Sequence, residues 1–111
     1  MHQQIDLQPI LNLAEDDPEF CQELLGQYHR SFLVFPAEFE QALQTGDLEQ
    51  VRLLVHKVKA SVRMAGMDDL DRLLHRATLA LPPQGELADT LQQVQQHCQA
   101  LVAAIEQEIS R

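Results

Sequence analysis

The stretch Thr45–Gly66, TGDLEQVRLLVHKVKASVRMAG, decides the fold. It opens on a stop and a start. Gly46 suits the left-handed residue that closes a helix, and Asp47 with Gln50 reads as a capping box for the next one. Val51, Leu54, Val55, Val58 and Val62 then recur at spacings of three and four, the stripe of an amphipathic helix from about Asp47 to Ala65. Gly66 stops it. At about 100° per residue from Val51, these residues and Ala65 fall within about 60° of one direction. Arg52, His56, Lys59 and Arg63 fall at about 100°, 140°, 80° and 120°, sharing a wedge about 60° wide. Leu53, Ala60, Met64 and Met67 lie beside that wedge, at about 160° to 220°. An imidazole therefore stands between a cationic strip and a small apolar strip.

Helical spacing continues on both sides of this stretch, and no segment alternates long enough to make a convincing strand. Ile5, Leu7, Ile10, Leu11 and Leu13 suggest a short first helix containing Pro9. Asp17 and Pro18 start a second, on which Leu24, Leu25, Tyr28 and Phe32 share a face that Phe39, Ala42 and Leu43 continue. Pro36 predicts a kink or a break. After Gly66, Asp68 is expected to cap a fourth helix carrying Leu70, Leu73, Leu74, Ala77 and Leu81. Pro82-Pro83 ends it. A fifth helix spans about Glu86 to Ser110, with Leu87, Leu91, Val94, Cys98, Leu101, Ile105 and Ile109 on one face. Each helix has one apolar face and the loops are short. The expected fold is all-α: an up-down four-helix bundle of helices two to five, with the first helix capping one end.

Composition supports one such bundle over residues 1–111. The chain is 45% hydrophobic with no Trp, one Tyr and four Gly. Its formal charge is −9, from 17 acidic and 8 basic residues, which argues against nucleic acid as a partner. No apolar run reaches the roughly 18 residues of a membrane span. The N-terminus lacks a basic segment followed by an apolar one, so no signal peptide is expected, and a native-looking Met1 favours a free-standing protein. Two cysteines, Cys21 and Cys98, are too few for a disulfide framework or a zinc spacing. A cytoplasmic, monomeric protein is the expectation.

Charge is distributed unevenly. Residues 50–67 contain no Asp or Glu, yet hold Arg52, Lys57, Lys59 and Arg63, half of all the basic residues and both lysines. A cationic island in an acidic chain suggests a small bound anion such as a phosphoryl group. Neutral imidazole is a good nucleophile near neutral pH, and neighbouring cations disfavour its protonated form. They also stabilise charge on a phosphoryl group passing to the ring. Lys59, at i+3, can reach beside His56, and Ala60, at i+4, leaves space for an approaching group. No acid lies within one turn to act as a base, which points to a carrier whose catalysis comes from its partner. An exposed helix face also commonly carries charges and a solvated His, so periodicity and charge alone leave both readings open.

The run His56-Lys57-Val58-Lys59-Ala60-Ser61-Val62-Arg63-Met64-Ala65-Gly66 resembles the signature of histidine-containing phosphotransfer (HPt) domains. That pattern has a His, a Lys three later, a small residue next, often a Ser after it, and a Gly ten after the His. These are His56, Lys59, Ala60, Ser61 and Gly66, and Leu70 matches the Leu that usually follows. The Gly46-Asp47 turn and the Asp17-Pro18 start also resemble the family, so the likeness covers nearly the whole chain. It implies that His56 is the phosphoryl acceptor, that Lys59 steadies the phosphoryl oxygens, that Ala60 keeps the approach open, and that Gly66 lets the helix end close to its neighbour. It further implies exchange of the phosphoryl group with an Asp on the receiver domain of a response regulator, or with a hybrid sensor kinase. The supporting Mg²⁺ would be bound by the receiver, with no cofactor on this chain. Docking would use Leu53, Ala60, Met64 and Met67 beside the His, with Arg52, Lys57, Lys59 and Arg63 meeting the receiver's acidic pocket. Ala60 departs from the family's commonest residue, Gly, and Arg63 and Met64 are bulkier than the residues often found there.

Other readings compete. The same fold can serve as a phosphorylation-independent module that occupies a receiver or kinase. His29, His75 and His97, on three helices, could in principle join Cys21 and Cys98 in a metal site, but no pair has the i, i+3 or i, i+4 spacing of helical metal ligands. His2 lies near the N-terminal end. Cys21 and Cys98 read as small core residues, and Asp68, Asp69 and Asp71 as helix capping and macrodipole complement. No metal is expected.

Overall fold

The computed structural model describes residues 5–111; Met1 and His2 lie outside them. Asp17 begins the longest element. Its Oδ1 accepts from the Phe20 amide at 3.1 Å, and Pro18 takes the first helical position. Helix α2 then runs Pro18–Thr45 and continues through Pro36, so no break occurs there. Phe32, Phe35 and Phe39 flank the proline and are at most 2% exposed; the Phe35 and Phe39 rings stack with centroids 5.4 Å apart. A proline inside a helix costs about 3 kcal/mol. Burying one Phe side chain contributes about 1.5–3 kcal/mol. Ending the helix would uncover several such rings, so it persists.

Helix α1, Gln8–Asn12, is shorter than the expected Ile5–Leu13 stripe, and Pro9 falls in its first turn, where a missing N–H is tolerated. The Asp6 amide donates to the Ala65 carbonyl at 2.9 Å, and Leu7 and Ile10 are buried. This pins α1 across the end of the bundle where helix α3, Leu48–Met64, finishes. Asp47 caps α3 through an Oδ1 that accepts from the Gln50 amide at 3.0 Å. Only this half of the expected capping box is made, because the Asp47 amide already donates to Ala42 O.

Both turns around α3 use a glycine in the left-handed region, Gly46 at φ 70° and Gly66 at φ 71°. After Gly66 the Met67 amide reaches back to Val62 O at 3.2 Å and the Gly66 amide to Arg63 O at 3.0 Å, the Schellman pattern of helix closure. A Cβ on Gly66 would meet nothing within 4 Å. Its requirement is therefore the backbone angle, not the close helix approach that the family resemblance implied.

That same turn corrects two expectations. Met67 is fully buried, in the core with Val62, and is unavailable for docking. Met67, not Asp68, also occupies the cap position of α4, Asp68–Leu79, and no side chain caps it; Asp68, Asp69 and Asp71 lie in the first turn, where they complement the macrodipole. Leu81 falls beyond the end of α4, since Ala80 is extended. After Pro82-Pro83 a 3₁₀ turn, Gln84–Glu86, leads into α5, Leu87–Ile109.

Helix α2 packs chiefly on α5 and α3 chiefly on α4, with α2 against α3 between them, whereas α4 meets α5 only slightly. The result is an all-α helical bundle without strands among the described residues. Its long axis of 45 Å is close to the roughly 42 Å that a helix of α2's length spans. The core holds no charged or polar side chain among the described residues. No described helix is long and apolar enough to cross a membrane.

Two stability changes should follow. Gly26 lies inside α2, and a Cβ there would meet only the flexible end of Arg30, at 3.5 Å. Gly26→Ala should stabilise by about 1 kcal/mol, raising the thermal midpoint by a few degrees. Gly66→Ala should destabilise by about 1–2 kcal/mol through its positive φ, and Gly66→Asn by less. Burial also pushes the Cys98 thiol from 9.0 up to about 12. The folded chain keeps this proton in a window where the unfolded chain releases it, so the stability involved is complete below about pH 9 and is lost as pH climbs towards 12. Denaturant titrations should show a shallower alkaline fall for Cys98→Ala than for the parent.

Candidate functional site

The buried stripe Val51, Leu54, Val55, Val58 and Val62 sets the rotation of α3. It turns the polar wedge towards the outer groove between α3 and α4. Arg52, His56, Lys59 and Arg63, placed together by helical arithmetic, do line one open cleft of about 310 Å³, floored by Val55. Helix α4 supplies the opposite wall with Asp71, His75, Thr78 and Leu79. His56 is exposed, as the sequence predicts, and Lys59 is half-buried.

Two arginines tie the cleft's ends across to α4. Arg52 Nε donates to Thr78 O at 2.8 Å. That carbonyl belongs to the last turn of α4, where main-chain acceptors lack helical partners and a cation complements the dipole. Arg63 Nε donates to both carboxylate oxygens of Asp71, at 3.2 and 3.4 Å, in the first turn of α4. His56 and Lys59 lie between these tethers, so fixed positive charge flanks the imidazole on both sides. Neither His56 nor Lys59 has a side-chain hydrogen bond or ion pair among the described residues, which leaves both free for an incoming group.

The remaining candidates divide. Leu53 is 55% exposed and Ala60 is exposed, while Met64 is half-buried against the core. Lys57 is exposed on the opposite flank of α3 and lines a groove against α2 with Arg30, Val34 and Glu38. It is not part of the His56 cleft. Ser61 is half-buried, Gly66 closes the helix, and Met67 is core.

The α4 wall was not legible from α3. Asp71, His75 and Thr78 share the i, i+4, i+7 flank of the α4 core stripe, so the pattern was present in the sequence. Which flank would face α3 depends on packing. The other histidines lie apart: His29 Nε2 is 3.0 Å from Glu106 Oε2, and His97 is half-buried on α5. No three His, Cys, Asp or Glu side chains come together as metal ligands among the described residues.

The described bundle presents an imidazole without a side-chain partner beside fixed cations in an open cleft. Residues 19–110 match the family model described as Hpt domain. The chain belongs to the Hpt domain family. No curated protein and no solved structure matches it. Membership implies histidine phosphotransfer in two-component systems and interaction with receiver domains.

The Arg63–Asp71 pair bears on the cleft's charge. Its side chains are 56% and 28% exposed, a setting in which an ion pair contributes less than about 1 kcal/mol. Asp71→Asn should therefore leave the unfolding midpoint nearly unchanged while tightening the binding of inorganic phosphate to the cleft, read from the His56 and Lys59 resonances.

Proposed function

We propose that His56 is the phosphoryl acceptor and that the chain relays the group between His56 and an aspartate of a receiver domain. The observation that carries this reading is the exposed His56 ring standing free between Lys59, Arg52 and Arg63 in one cleft. In the transfer, an unprotonated ring nitrogen of His56 attacks the phosphorus of the receiver's aspartyl phosphate. The N–P bond forms as the P–O bond breaks, and its electron pair returns to the aspartate carboxylate. The reverse step delivers the group to a second receiver or takes it back. Lys59 steadies the phosphoryl oxygens, and Arg52 and Arg63 offset their charge without leaving α4.

Ala60, one turn from His56, leaves the approach open, and Leu53 with the exposed edge of Met64 gives the receiver an apolar contact beside the cleft. Lys57 extends the cationic contact towards α2. Among the described residues, the cleft's one carboxylate, Asp71, is engaged by Arg63 rather than by the imidazole. Catalysis would come from the receiver, whose Mg²⁺ would supply Lewis-acid stabilisation of the phosphoryl group; a hybrid sensor kinase is a further partner in this reading. A monomer acting in the cytoplasm fits this role.

Incubation with a labelled phospho-receiver should place an acid-labile, alkali-stable label on the wild type and none on His56→Gln. Label retained by His56→Gln overturns the assignment. Binding of the receiver with no label on either form would support a docking module instead. Lys59→Ala should slow transfer by roughly one to two orders of magnitude with the fold intact by circular dichroism.

A further inference from the structure

The cationic surface does not end at the His56 cleft. Arg63, Asp71 and His75 also line a second groove, of about 670 Å³, on the far side of α4. There they meet Arg72 and Arg76 of α4 and His97 of α5. The groove exists because the short α4 barely contacts α5, while α4 buries Leu73, Leu74 and Ala77 in the core. Together the two grooves carry five of the chain's eight Arg and Lys and only two of its 17 Asp and Glu. The acids are engaged, Asp71 with Arg63 and Asp69 with Arg72. Arg76 has no ion pair among the described residues and is exposed.

We propose that this band across α4 is a docking surface for carboxylate-rich protein surface, the acidic rim of the receiver that exchanges with His56. The proposal rests on the relay reading above. Its first support is charge: a chain of net charge −9 repels an acidic partner overall, whereas this band gathers five of its eight basic residues, so the band favours one orientation of encounter. Its second support is residue type. The fixed cations of the second groove are all arginines, whose planar forks fit carboxylates bidentately where lysine offers a point charge. Its third is continuity. Arg63, Asp71 and His75 belong to both grooves, so a rim lying over α4 reaches Arg72 and Arg76 while the partner's aspartate faces His56.

The test uses Arg72→Ala/Arg76→Ala, two exposed positions outside the His56 cleft, with Arg76→Glu as a charge-reversed second variant. The probe is the receiver domain that wild type phosphorylates fastest among the response regulators of its own cell. Transfer is followed at about 50 mM and about 500 mM NaCl. In parallel, the small donor phosphoramidate labels His56 without any protein docking. The expected result is a roughly tenfold slower transfer with the receiver at low salt, a larger loss for Arg76→Glu, convergence with wild type at high salt, and unchanged phosphoramidate labelling. Receiver transfer equal to wild type at both salts overturns the docking band and leaves the relay standing. Equal losses with receiver and phosphoramidate also overturn it, by placing the effect inside the His56 cleft. Wild type that takes no label from either donor overturns the relay reading, and the band with it.

Discussion

The rotation of α3 about its own axis is fixed by its valine-rich stripe, and the site depends on that rotation. Val51, Leu54, Val55, Val58 and Val62 are each at most 6% exposed. Turning the helix by one residue would exchange several of these for arginine, lysine or histidine against a core that, among the described residues, contains no polar partner for them. Leaving one charged group unpaired in such an interior costs several kcal/mol. The polar wedge is thus held outward by the expense of the alternatives, and His56 is exposed because Val55 beside it is not.

Helix α4 completes the arrangement by meeting α3 antiparallel. The N-terminal Arg52 of α3 reaches the C-terminal carbonyl of Thr78, and the C-terminal Arg63 reaches Asp71 in the first turn of α4. Each contact places charge where a helix end is short of hydrogen-bond partners or carries the opposite partial charge. The two tethers are exposed and individually weak. Their consequence is geometric: they hold the arginine stems along the walls of the cleft, so that the space above His56 and Lys59 stays open.

Most of the fold was legible because the patterns concerned are local. The Asp17 and Asp47 caps, the Gly46 and Gly66 stops and five apolar stripes each depend on residues within a turn or two. Misreadings arose where a local rule met tertiary structure. Pro36 reads as a kink or a break, and the break does not occur, because the phenylalanines around it are buried only if the helix continues. Met67 was placed beside the cationic wedge by carrying the α3 angle two residues too far. Once Gly66 adopts positive φ the helical arithmetic ends, and the chain turns Met67 into the core. Within the site, the α3 half followed from periodicity, whereas Asp71, His75 and Thr78 did not, because a sequence stripe has two flanks and only packing selects between them. Lys57, next to His56 in sequence, lies outside its cleft, because about 100° per residue puts it on the other flank of α3.

The modest strength of the cleft is itself consistent with a relay. Of its three fixed cations, Arg63 is already offset by Asp71 and Arg52 already donates to a carbonyl, leaving Lys59 as the unengaged charge nearest His56 in the helix. A carrier that surrounded a phosphoryl group with three free cations would bind it far more tightly than donor or acceptor does. It would then become the end of the pathway, since stabilising a bound state without equal gain in the transition state raises the barrier to leaving it. In the proposed relay, partial neutralisation would keep the phosphorylated form closer in free energy to its partners, and exposure of His56 would let a second protein reach it. In that relay Asp71, the acid that looks misplaced in a phosphate-binding cleft, would weaken the cleft's hold on the phosphoryl group by engaging Arg63.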